Sequence, residues 1–201
     1  MNRQTGKLIL ISGPSGTGKS TVIARLMRLR DDVCFSVSAT TRAPRPGEVD
    51  GKDYFFVTRT AFDAMVAGDE LLEHAEYVGN YYGTPLAPIR EALEAGTDVV
   101  MDVDVVGALN IKKRLPEAVL VFLTAPSLAE IRRRLEKRGD VSPEAMEKRM
   151  ERAKWEYSQA YQYDYLVVND TVGHAAAELL AIMTAEKCKM MDRIHCIKEE
   201  L

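Results

Sequence analysis

The sequence predicts an α/β fold of three layers, in which a mostly parallel sheet is flanked by helices, and two observations carry that prediction. Short apolar runs of strand length recur along the chain, and a segment with helical periodicity follows each of them. Such alternation is typical of parallel strands joined by helices that cover the sheet. Between the first run and the later ones lies a stretch rich in proline and glycine, which predicts an inserted β-rich subdomain.

Four apolar runs are the predicted strands of the sheet. Lys7 to Ile11 comes first and leads into glycines, and the helical pattern after it has Val22, Ile23 and Leu26 in register. The other three runs are Asp98 to Asp104, Val119 to Leu123 and Tyr165 to Val168. Open α/β sheets bind ligands at the carboxyl ends of such strands.

Capping signals predict two consecutive helices after the third run. Ser127 with Glu130 forms a capping box, and Gly139 is expected to stop that helix. Ser142 and Pro143 begin the next helix, whose apolar positions recur every three or four residues and form one packed face. These positions are Met146, Met150, Ala153, Tyr157 and Ala160.

The predicted insertion covers residues 36–84, where prolines and glycines separate short β-like pieces. Only Thr60 to Ala67 looks helical there, with Thr60 as N-cap and Gly68 as stop. The tail after Lys187 has mixed charge, and we expect a helical extension or a frayed end.

Composition narrows the classes of function. The 201 residues, 46% of them hydrophobic, suffice for one globular domain with its own core. The 27 basic and 30 acidic residues give a net charge of −3, so we expect neither nucleic acid nor membrane as a partner. The longest apolar stretch, around Ala118 to Leu123, is too short for a membrane span. Cys34, Cys188 and Cys196 lack disulfide-framework density and CxxC spacing, which favours a cytoplasmic protein without zinc or thiol chemistry.

Gly13 to Ser20 read GPSGTGKS and match the phosphate-binding pattern GxxxxGK[ST], directly between a predicted strand and a predicted helix. The glycines let backbone N–H groups converge on phosphate oxygens, and the helix N-terminus adds its dipole. Lys19 would reach the β- and γ-phosphates, and Ser20 would supply a hydroxyl oxygen to Mg²⁺. The motif predicts a nucleoside triphosphate site. A GTPase is not favoured, because no Asn-Lys-x-Asp element accompanies the DxxG spacing at Asp104 to Gly107.

Two clusters of arginine suggest further phosphate contacts. Arg42 and Arg45 lie outside any predicted helix in a segment that Pro44 and Pro46 stiffen. Their forked donors suit a second phosphate, with Tyr54 and Tyr82 as hydroxyl donors. A second group lies on the two late helices. Its members are Arg132, Arg133, Arg134, Arg138, Arg149 and Arg152. This second cluster fits either a solvated helix face or a lid that closes over the transferred group.

Three acidic residues complete the pattern. Period two places Glu73 on the apolar face of a strand with Leu71, Ala75 and Tyr77, where a carboxylate needs a partner. Guanine offers adjacent donors at N1 and N2, whereas adenine has no donor at N1. Asp102 and Asp104 flank one valine at the end of a buried strand. Asp102 suits Mg²⁺ or its waters, and Asp104 suits the acceptor.

These segments, in this order, resemble the guanylate kinase family from about Lys7 to Lys187. The matching segments are Gly13 to Ser20, Phe35 to Arg45, Gly47 to Tyr54, Gly79 to Gly83, Asp102 to Asp104, Arg138-Gly139 and Val168 to Asp170. The resemblance implies one domain over residues 1–187, followed by an extension, 188–201. Within that domain it implies a P-loop core (1–35, 85–131 and 162–187), a GMP-binding subdomain (36–84) and a helical lid (132–161). The implied activity is Mg²⁺-dependent transfer of phosphate from ATP to GMP, with dGMP as a further acceptor, in purine metabolism.

The resemblance also implies roles for individual positions. The ATP-binding residues would be Gly13, Pro14, Ser15, Gly16, Thr17, Gly18, Lys19, Ser20, Thr21 and Asn169, with Ser20 and Asp102 as metal ligands. Guanine would contact Ser38, Glu73, Thr84 and Asp104, and the acceptor phosphate would contact Arg42, Arg45, Tyr54 and Tyr82. The catalytic set would be Lys19, Arg42, Arg134, Arg138 and Arg149.

The chain departs from the family pattern at a few positions. Thr84 stands in place of serine and keeps the hydroxyl, whereas Asp140, Val141 and Val106 replace residues that the family pattern favours. Two other functions stay open at this point: a P-loop kinase acting on a phosphorylated sugar, and a guanylate-kinase-like module that binds protein partners. The oligomeric state is expected to be a monomer or a small homo-oligomer.

Overall fold

The computed structural model describes residues 5–77, 79–138 and 142–197 and confirms the predicted α/β class. Over these residues the strands are β1 (Leu8–Ser12), β2 (Val33–Phe35), β3 (Ala39–Thr40), β4 (Phe55–Phe56), β5 (Leu71–Tyr77), β6 (Asn80–Pro85), β7 (Asp98–Asp102), β8 (Val119–Thr124) and β9 (Tyr165–Val168). The helices are α1 (Lys19–Met27), α2 (Arg59–Ala67), α3 (Leu86–Glu94), α4 (Val105–Arg114), α5 (Leu128–Arg138), α6 (Pro143–Gln159), α7 (Val172–Glu186) and α8 (Met190–Arg193).

The core is a parallel sheet in the order β2-β7-β1-β8-β9. Alternate residues of β1 face opposite layers. Ile9 shares a buried cluster with Leu26 of α1 and Leu179 of α7, whereas Leu10 shares one with Ile111 of α4. Because both faces are covered, every residue of β1 is buried, which is why the strand reads as a continuous apolar run.

Two details of this sheet differ from the sequence prediction. The edge strand β2 was not among the predicted strands, because its three residues grade from buried Val33 to exposed Phe35 and carry little periodicity. Strand β7 ends at Asp102 and does not extend to Asp104. Asp104 is instead the N-cap of α4, where its carboxylate accepts a hydrogen bond from the N–H of Gly107.

Residues 39–85 contain a second sheet, in the order β4-β3-β6-β5, which packs on α2 through Ala39, Phe62 and Leu71. Helix α2 ends at Gly68 as predicted, but the prediction of Thr60 as its N-cap is wrong. The cap is Thr58, whose extended backbone and hydroxyl, accepting from Ala61 N, already begin the helix two residues earlier.

Strand β5 contains a β-bulge that changes which way its side chains point. Leu71 pairs with Pro85 of β6, but His74 pairs with Gly83, so β5 carries one extra residue between these positions. Leu71 and His74 therefore both lie beside Phe62 of α2. The prediction that Glu73 shares a face with Leu71 is wrong, because the extra residue interrupts the period of two. The side chain of Tyr77 lies outside the described residues.

Helices α5 and α6 pack together through Ile131, Leu135, Met146 and Met150. Ser142 caps α6 as predicted, accepting from Ala145 N. Ser127 accepts from Glu130 N as expected of a capping box, but the Glu130 carboxylate is bound to Arg133 and Arg134. The predicted stop at Gly139 lies outside the described residues, as do Asp140 and Val141. Among the residues described, no helix is both long and apolar enough to cross a membrane.

Candidate active site

The phosphate-binding motif connects β1 to α1 at the carboxyl edge of the core sheet. Two of its glycines are required by close contacts: at Gly13 (φ +141°) a Cβ would lie 2.1 Å from the Leu123 carbonyl oxygen, and at Gly18 (φ +90°) 2.5 Å from Nδ2 of Asn169. The Lys19 Nζ donates to the carbonyls of Gly13 (2.7 Å) and Pro14 (3.3 Å). Its ammonium is thereby held over the loop.

Long-range hydrogen bonds fix the loop from behind. The carbonyl of Thr17 accepts from Nδ2 of Asn169 (2.8 Å) and from Nη1 of Arg134 (3.2 Å), while Nη2 of Arg134 donates to the Asn169 carbonyl (2.9 Å). Glu130 holds the same guanidinium through Nε (2.7 Å). Asn169 is 3% exposed, so its amide braces the loop from the protein interior.

A cavity of about 430 Å³ opens in front of the loop. It is lined by Ser15, Gly16, Gly18, Lys19, Ser20, Thr21, Asp102 and Arg134. Asp102 reaches solvent in this cavity. Desolvation by the surrounding protein raises the pKa of its carboxyl, and the positive charge of Lys19 opposes that effect. The arrangement combines cations, a hydroxyl and a carboxylate, the groups that a metal-bound polyphosphate needs.

A second cavity of about 260 Å³ adjoins the first. It is lined by Phe35, Ser36, Ser38, Asp53, Tyr54, Glu73, Thr84, Met101, Asp102 and Val103. Asp102 lines both cavities, so the two form one cleft, and its second part lies between the core sheet and the second sheet.

Glu73 is the half-buried acid of this second cavity. Its Oε1 accepts a hydrogen bond of 2.8 Å from the hydroxyl of Thr84 on the neighbouring strand. Burial raises the pKa of Glu73, and the nearby carboxylate of Asp104 raises it further, against the opposing effects of Thr84 and His74. Asp104 lies beside Glu73 and Asp102 in an adjoining recess.

Arg42 is not among the residues that line this cavity but lies beside one of them, Tyr54, within an aromatic group. Its guanidinium carbon is 5.4 Å from the ring centroid of Tyr54, and the Tyr54 and Tyr82 rings are 6.0 Å apart. Nη2 of Arg42 donates to Glu48 (2.8 Å), which raises the pKa of the guanidinium, with a contribution from Tyr82. The Arg45 side chain is exposed, and its backbone N–H donates to the other Glu48 oxygen (2.7 Å).

Comparison with known proteins identifies the family. A sequence model described as Guanylate kinase matches residues 5–186.

The chain belongs to the guanylate kinase family.

It is 52% identical over 187 residues to a guanylate kinase of Thermus thermophilus, covering 93% of this chain and 83% of that protein. It is 48% identical over 202 residues to a guanylate kinase of Halalkalibacterium halodurans, covering 99% of each chain. The crystal structure of guanylate kinase from Anaplasma phagocytophilum superimposes with a TM-score of 0.72 at 33% identity, covering 94% of this chain and 90% of that chain. This chain is therefore an enzyme with guanylate kinase activity.

The remaining arginines of the sequence prediction are only partly placed in this guanylate kinase. Arg138 is the last residue of α5, and its side chain lies outside the described residues. Arg149 lies on α6, half-buried, and is not among the described residues that line the two cavities.

Several residues of the cleft were missed by sequence reasoning. Phe35 and Ser36 enter the second cavity at the end of the unpredicted strand β2. Asp53 also lines it, and its carboxylate accepts from Val49 N (2.8 Å) and shapes the loop. Glu48 orders both predicted phosphate arginines. The available signal was that these residues lie within two of the segments that resemble the family, Phe35 to Arg45 and Gly47 to Tyr54.

Proposed function

We propose that this guanylate kinase transfers the γ-phosphoryl group of ATP to GMP, giving ADP and GDP, with Mg²⁺ and as a step of purine nucleotide metabolism. The observation that carries the proposal is the single cleft. Its cationic phosphate loop and its base-reading acid, Glu73, are joined through Asp102. A donor and an acceptor bound at these two ends would meet in the middle.

Glu73 and Thr84 are the proposed readers of guanine. A carboxylate on Glu73 accepts from N1–H and from the exocyclic amino group, and the hydroxyl of Thr84 orients that carboxylate. Ser38 and Asp104 would complete the base contacts. Adenine presents no donor at N1, so AMP would leave the half-buried acid without its partner.

Arg42, Arg45, Tyr54 and Tyr82 are the proposed holders of the acceptor phosphate. Arg42 is already fixed by Glu48 and the aromatic rings, so little side-chain freedom remains to be lost when it binds. Arg45 is exposed at the rim and would close over the phosphate. These contacts go to base and phosphate alone, so dGMP would be accepted as well.

The transfer itself depends on positioning and on charge. The attacking oxygen of a phosphate monoester is already largely ionised near neutral pH, so no strong general base is needed. Lys19 and Arg134 would stabilise charge on the transferring group, and Arg138 and Arg149 would join them from the two lid helices. Helix α5 is fixed to the phosphate loop through Arg134, which orients the lid toward the donor.

The residues present fit a magnesium ion. Ser20 and Asp102 line the same cavity as Lys19, and oxygen ligands from one carboxylate and one hydroxyl, completed by phosphates and water, are the set that Mg²⁺ prefers. Within the described residues, no three His, Cys, Asp or Glu side chains gather into a cage, so such an ion would arrive with the nucleotide. When bound, it supplies charge neutralisation on the β- and γ-phosphates.

The two other functions left open by the sequence are less well supported. A module that only binds proteins would not need Lys19 poised over a complete phosphate loop. A kinase acting on a phosphorylated sugar would need the arginine clamp but not a half-buried carboxylate held by Thr84.

The test is coupled ADP release with ATP and Mg²⁺, comparing GMP, dGMP, AMP, UMP and a ribose bisphosphate as acceptors, with Glu73→Gln as the matched variant. We expect turnover with GMP and dGMP to dominate and to fall in the variant. Turnover with ribose bisphosphate alone, or ATP binding without turnover of any acceptor, would overturn the proposal in favour of one of the two alternatives.

A further inference from the structure

Arg114, the last residue of α4, grips the backbone of β5 directly before Glu73. Its Nη1 donates to the carbonyls of Leu71 (3.0 Å) and Leu72 (3.1 Å), and its Nη2 donates to both carboxylate oxygens of Asp69 (3.0 and 3.1 Å). The contact joins a helix of the core to a strand of the second sheet. No feature of the sequence singled out Arg114.

This contact depends on the β-bulge. Consecutive carbonyls of a regular strand point in opposite directions. One guanidinium nitrogen can therefore donate to the carbonyls of both Leu71 and Leu72 only where the strand is irregular. The extra residue of β5 lies between Leu71 and His74, at the same place. Within the described part of the chain β5 is an edge strand, and Arg114 donates to carbonyls that no further strand there covers.

The bulge decides where Glu73 points. Leu72 packs into the buried cluster that contains Leu10 of the core sheet, and Glu73 lines the second cavity. Leu71 and His74 lie on the other side of the strand, beside Phe62. In a strand without the extra residue, Glu73 would share the side of Leu71 and would face α2.

The opposite strand is fitted to the same irregularity. A Cβ at Gly83 would lie 2.8 Å from Cδ1 of Leu71, 3.1 Å from the Glu73 carbonyl oxygen and 3.1 Å from Cβ of His74. The bulge is therefore clamped from two sides, by Arg114 at the open edge and by the close approach of Gly83 from β6.

We propose that Arg114 is a positioning residue for base selection: its two hydrogen bonds to the bulge hold Glu73 in the orientation that reads guanine. The inference rests on the proposed role of Glu73 as the acceptor of the base. Helix α4 carries Asp104 at its N-cap and Arg114 at its last residue, so one rigid element supports both acids of the base site.

The test compares GMP with IMP, whose base keeps the N1 donor and lacks the exocyclic amino group. The kcat/KM ratio for the two acceptors is measured at saturating ATP and Mg²⁺ for Arg114→Ala, Arg114→Lys, Gly83→Ala and Glu73→Gln. Lys113→Ala is the matched control, since it removes an exposed cation from the same turn of α4. The KM for ATP is recorded for every variant.

We expect Glu73→Gln to reduce the preference for GMP over IMP about tenfold, the effect of a hydrogen bond to a charged group. Arg114→Ala should reduce it by a similar factor with the KM for ATP unchanged, because a displaced carboxylate reads the base no better than an absent one. Arg114→Lys should be intermediate, since one ammonium cannot reproduce the fork. Gly83→Ala should act like Arg114→Ala, and Lys113→Ala should keep the wild-type ratio.

The outcomes separate the two proposals. If Glu73→Gln lowers the ratio but Arg114→Ala lowers kcat/KM for GMP and IMP equally, the role of Arg114 is overturned and that of Glu73 stands. If Glu73→Gln leaves the ratio unchanged, Glu73 does not read the base and both proposals fall. Should Arg114→Ala not fold, Arg114→Lys decides, and a wild-type ratio in that variant overturns the inference.

Discussion

The hydroxyl of Thr84 donates a hydrogen bond to Oε1 of Glu73 across 2.8 Å, and this contact joins strand β6 to the edge strand β5 at the wall of the second cavity. A hydroxyl donor favours the ionised carboxylate, while burial and Asp104 favour the neutral form. Burial and Asp104 outweigh the hydroxyl of Thr84, so the pKa of Glu73 is raised. The ionised form of Glu73 is therefore less stable than that of an ordinary glutamate. A ligand that donates hydrogen bonds to the carboxylate would offset this cost.

The first prediction concerns the pH dependence of acceptor binding. Because the pKa of Glu73 is raised, the carboxylate becomes protonated at a higher pH than an ordinary glutamate, and a protonated acid accepts poorly from guanine. The KM for GMP should therefore rise as the pH is lowered from about 8 to about 5, before other carboxylates titrate. Steady-state kinetics at saturating ATP measures it. The second ionisation of the GMP phosphate, with a pKa of about 6, falls in the same range and affects both enzymes. Glu73→Gln should therefore have a high KM for GMP that rises less steeply than that of the wild type, and a parallel rise in the two enzymes would contradict the assignment.

The second prediction is that Glu73→Gln stabilises the fold. A carboxyl whose pKa is raised on folding binds its proton more tightly in the native state, so its stabilising contribution is complete below the unfolded pKa and is lost as pH rises through the folded value. At neutral pH the ionised Glu73 therefore lowers the free energy of unfolding. Thermal denaturation should show a higher midpoint for Glu73→Gln at neutral pH, with the difference shrinking under acidic conditions. A lower midpoint at neutral pH would show that the carboxylate stabilises its surroundings.

The third prediction concerns the brace behind the phosphate loop. Asn169→Ala removes the buried hydrogen bond to the Thr17 carbonyl and should lower the free energy of unfolding by about 1–3 kcal/mol. Since the side-chain amide of Asn169 supports the phosphate loop, the KM for ATP should rise while the KM for GMP stays close to that of the wild type. Denaturant unfolding and two-substrate kinetics measure these effects. Gln162→Ala, which removes an exposed amide, is the control, and an equal change in both KM values would refute a role confined to the loop.

The extent to which the sequence predicted this structure follows from burial. Strands β1 and β8 were found because both of their faces are covered, so their residues form unbroken apolar runs. Strand β2 was missed because only Val33 of its three residues is buried. For Glu73 the residue was predicted, but its direction was not, since a bulge depends on an interaction across strands that periodicity cannot detect.

In the site, too, local patterns were predicted and long-range contacts were not. The phosphate loop could be found because its residues are consecutive and their spacing is imposed by phosphate geometry. Arg114 and Glu48 act elsewhere in the site, through hydrogen bonds that depend on folding. Arg114 contacts Leu71 at a separation of 43 residues, and Glu48 meets Arg42 only because the intervening loop turns back. The spacing of residues along the sequence cannot predict such contacts.

The fourth prediction concerns Arg45, one of the two arginines proposed to hold the acceptor phosphate. Arg45→Ala should raise the KM for GMP about tenfold, the loss of one charge-assisted contact, while the KM for ATP is unchanged. Stability should not change measurably, because the Arg45 side chain is exposed. Arg59→Ala, which removes another exposed arginine of the same subdomain, is the control for charge alone. An unchanged KM and kcat for GMP in Arg45→Ala would contradict the phosphate role.

A buried ionic cluster lies at the opposite end of the core sheet. Asp98, the first residue of β7, is fully buried and accepts from the backbone N–H of Lys7 (2.8 Å). Its carboxylate also pairs with Nζ of Lys187 (2.9 Å) and lies 3.4 Å from Nη2 of Arg30. These contacts bind the end of α7 to the amino ends of β1 and β7, on the side of the sheet away from the cleft.

The fifth prediction is that this cluster contributes stability without affecting catalysis. Asp98→Ala removes the acceptor of the Lys7 N–H and the buried carboxylate that Arg30 and Lys187 share. Asp32 still pairs with both cations. The expected cost is therefore about 3 kcal/mol, the lower end of the cost of breaking a buried ion pair. For a chain of this length the thermal midpoint should fall by roughly 6–12 °C. The control Asp63→Ala breaks an exposed pair and should cost about 1 kcal/mol at most. At temperatures below the thermal midpoint, the KM values for ATP and for GMP should match those of the wild type. If Asp98→Ala and Asp63→Ala melt at the same temperature, solvent already compensates the buried charges.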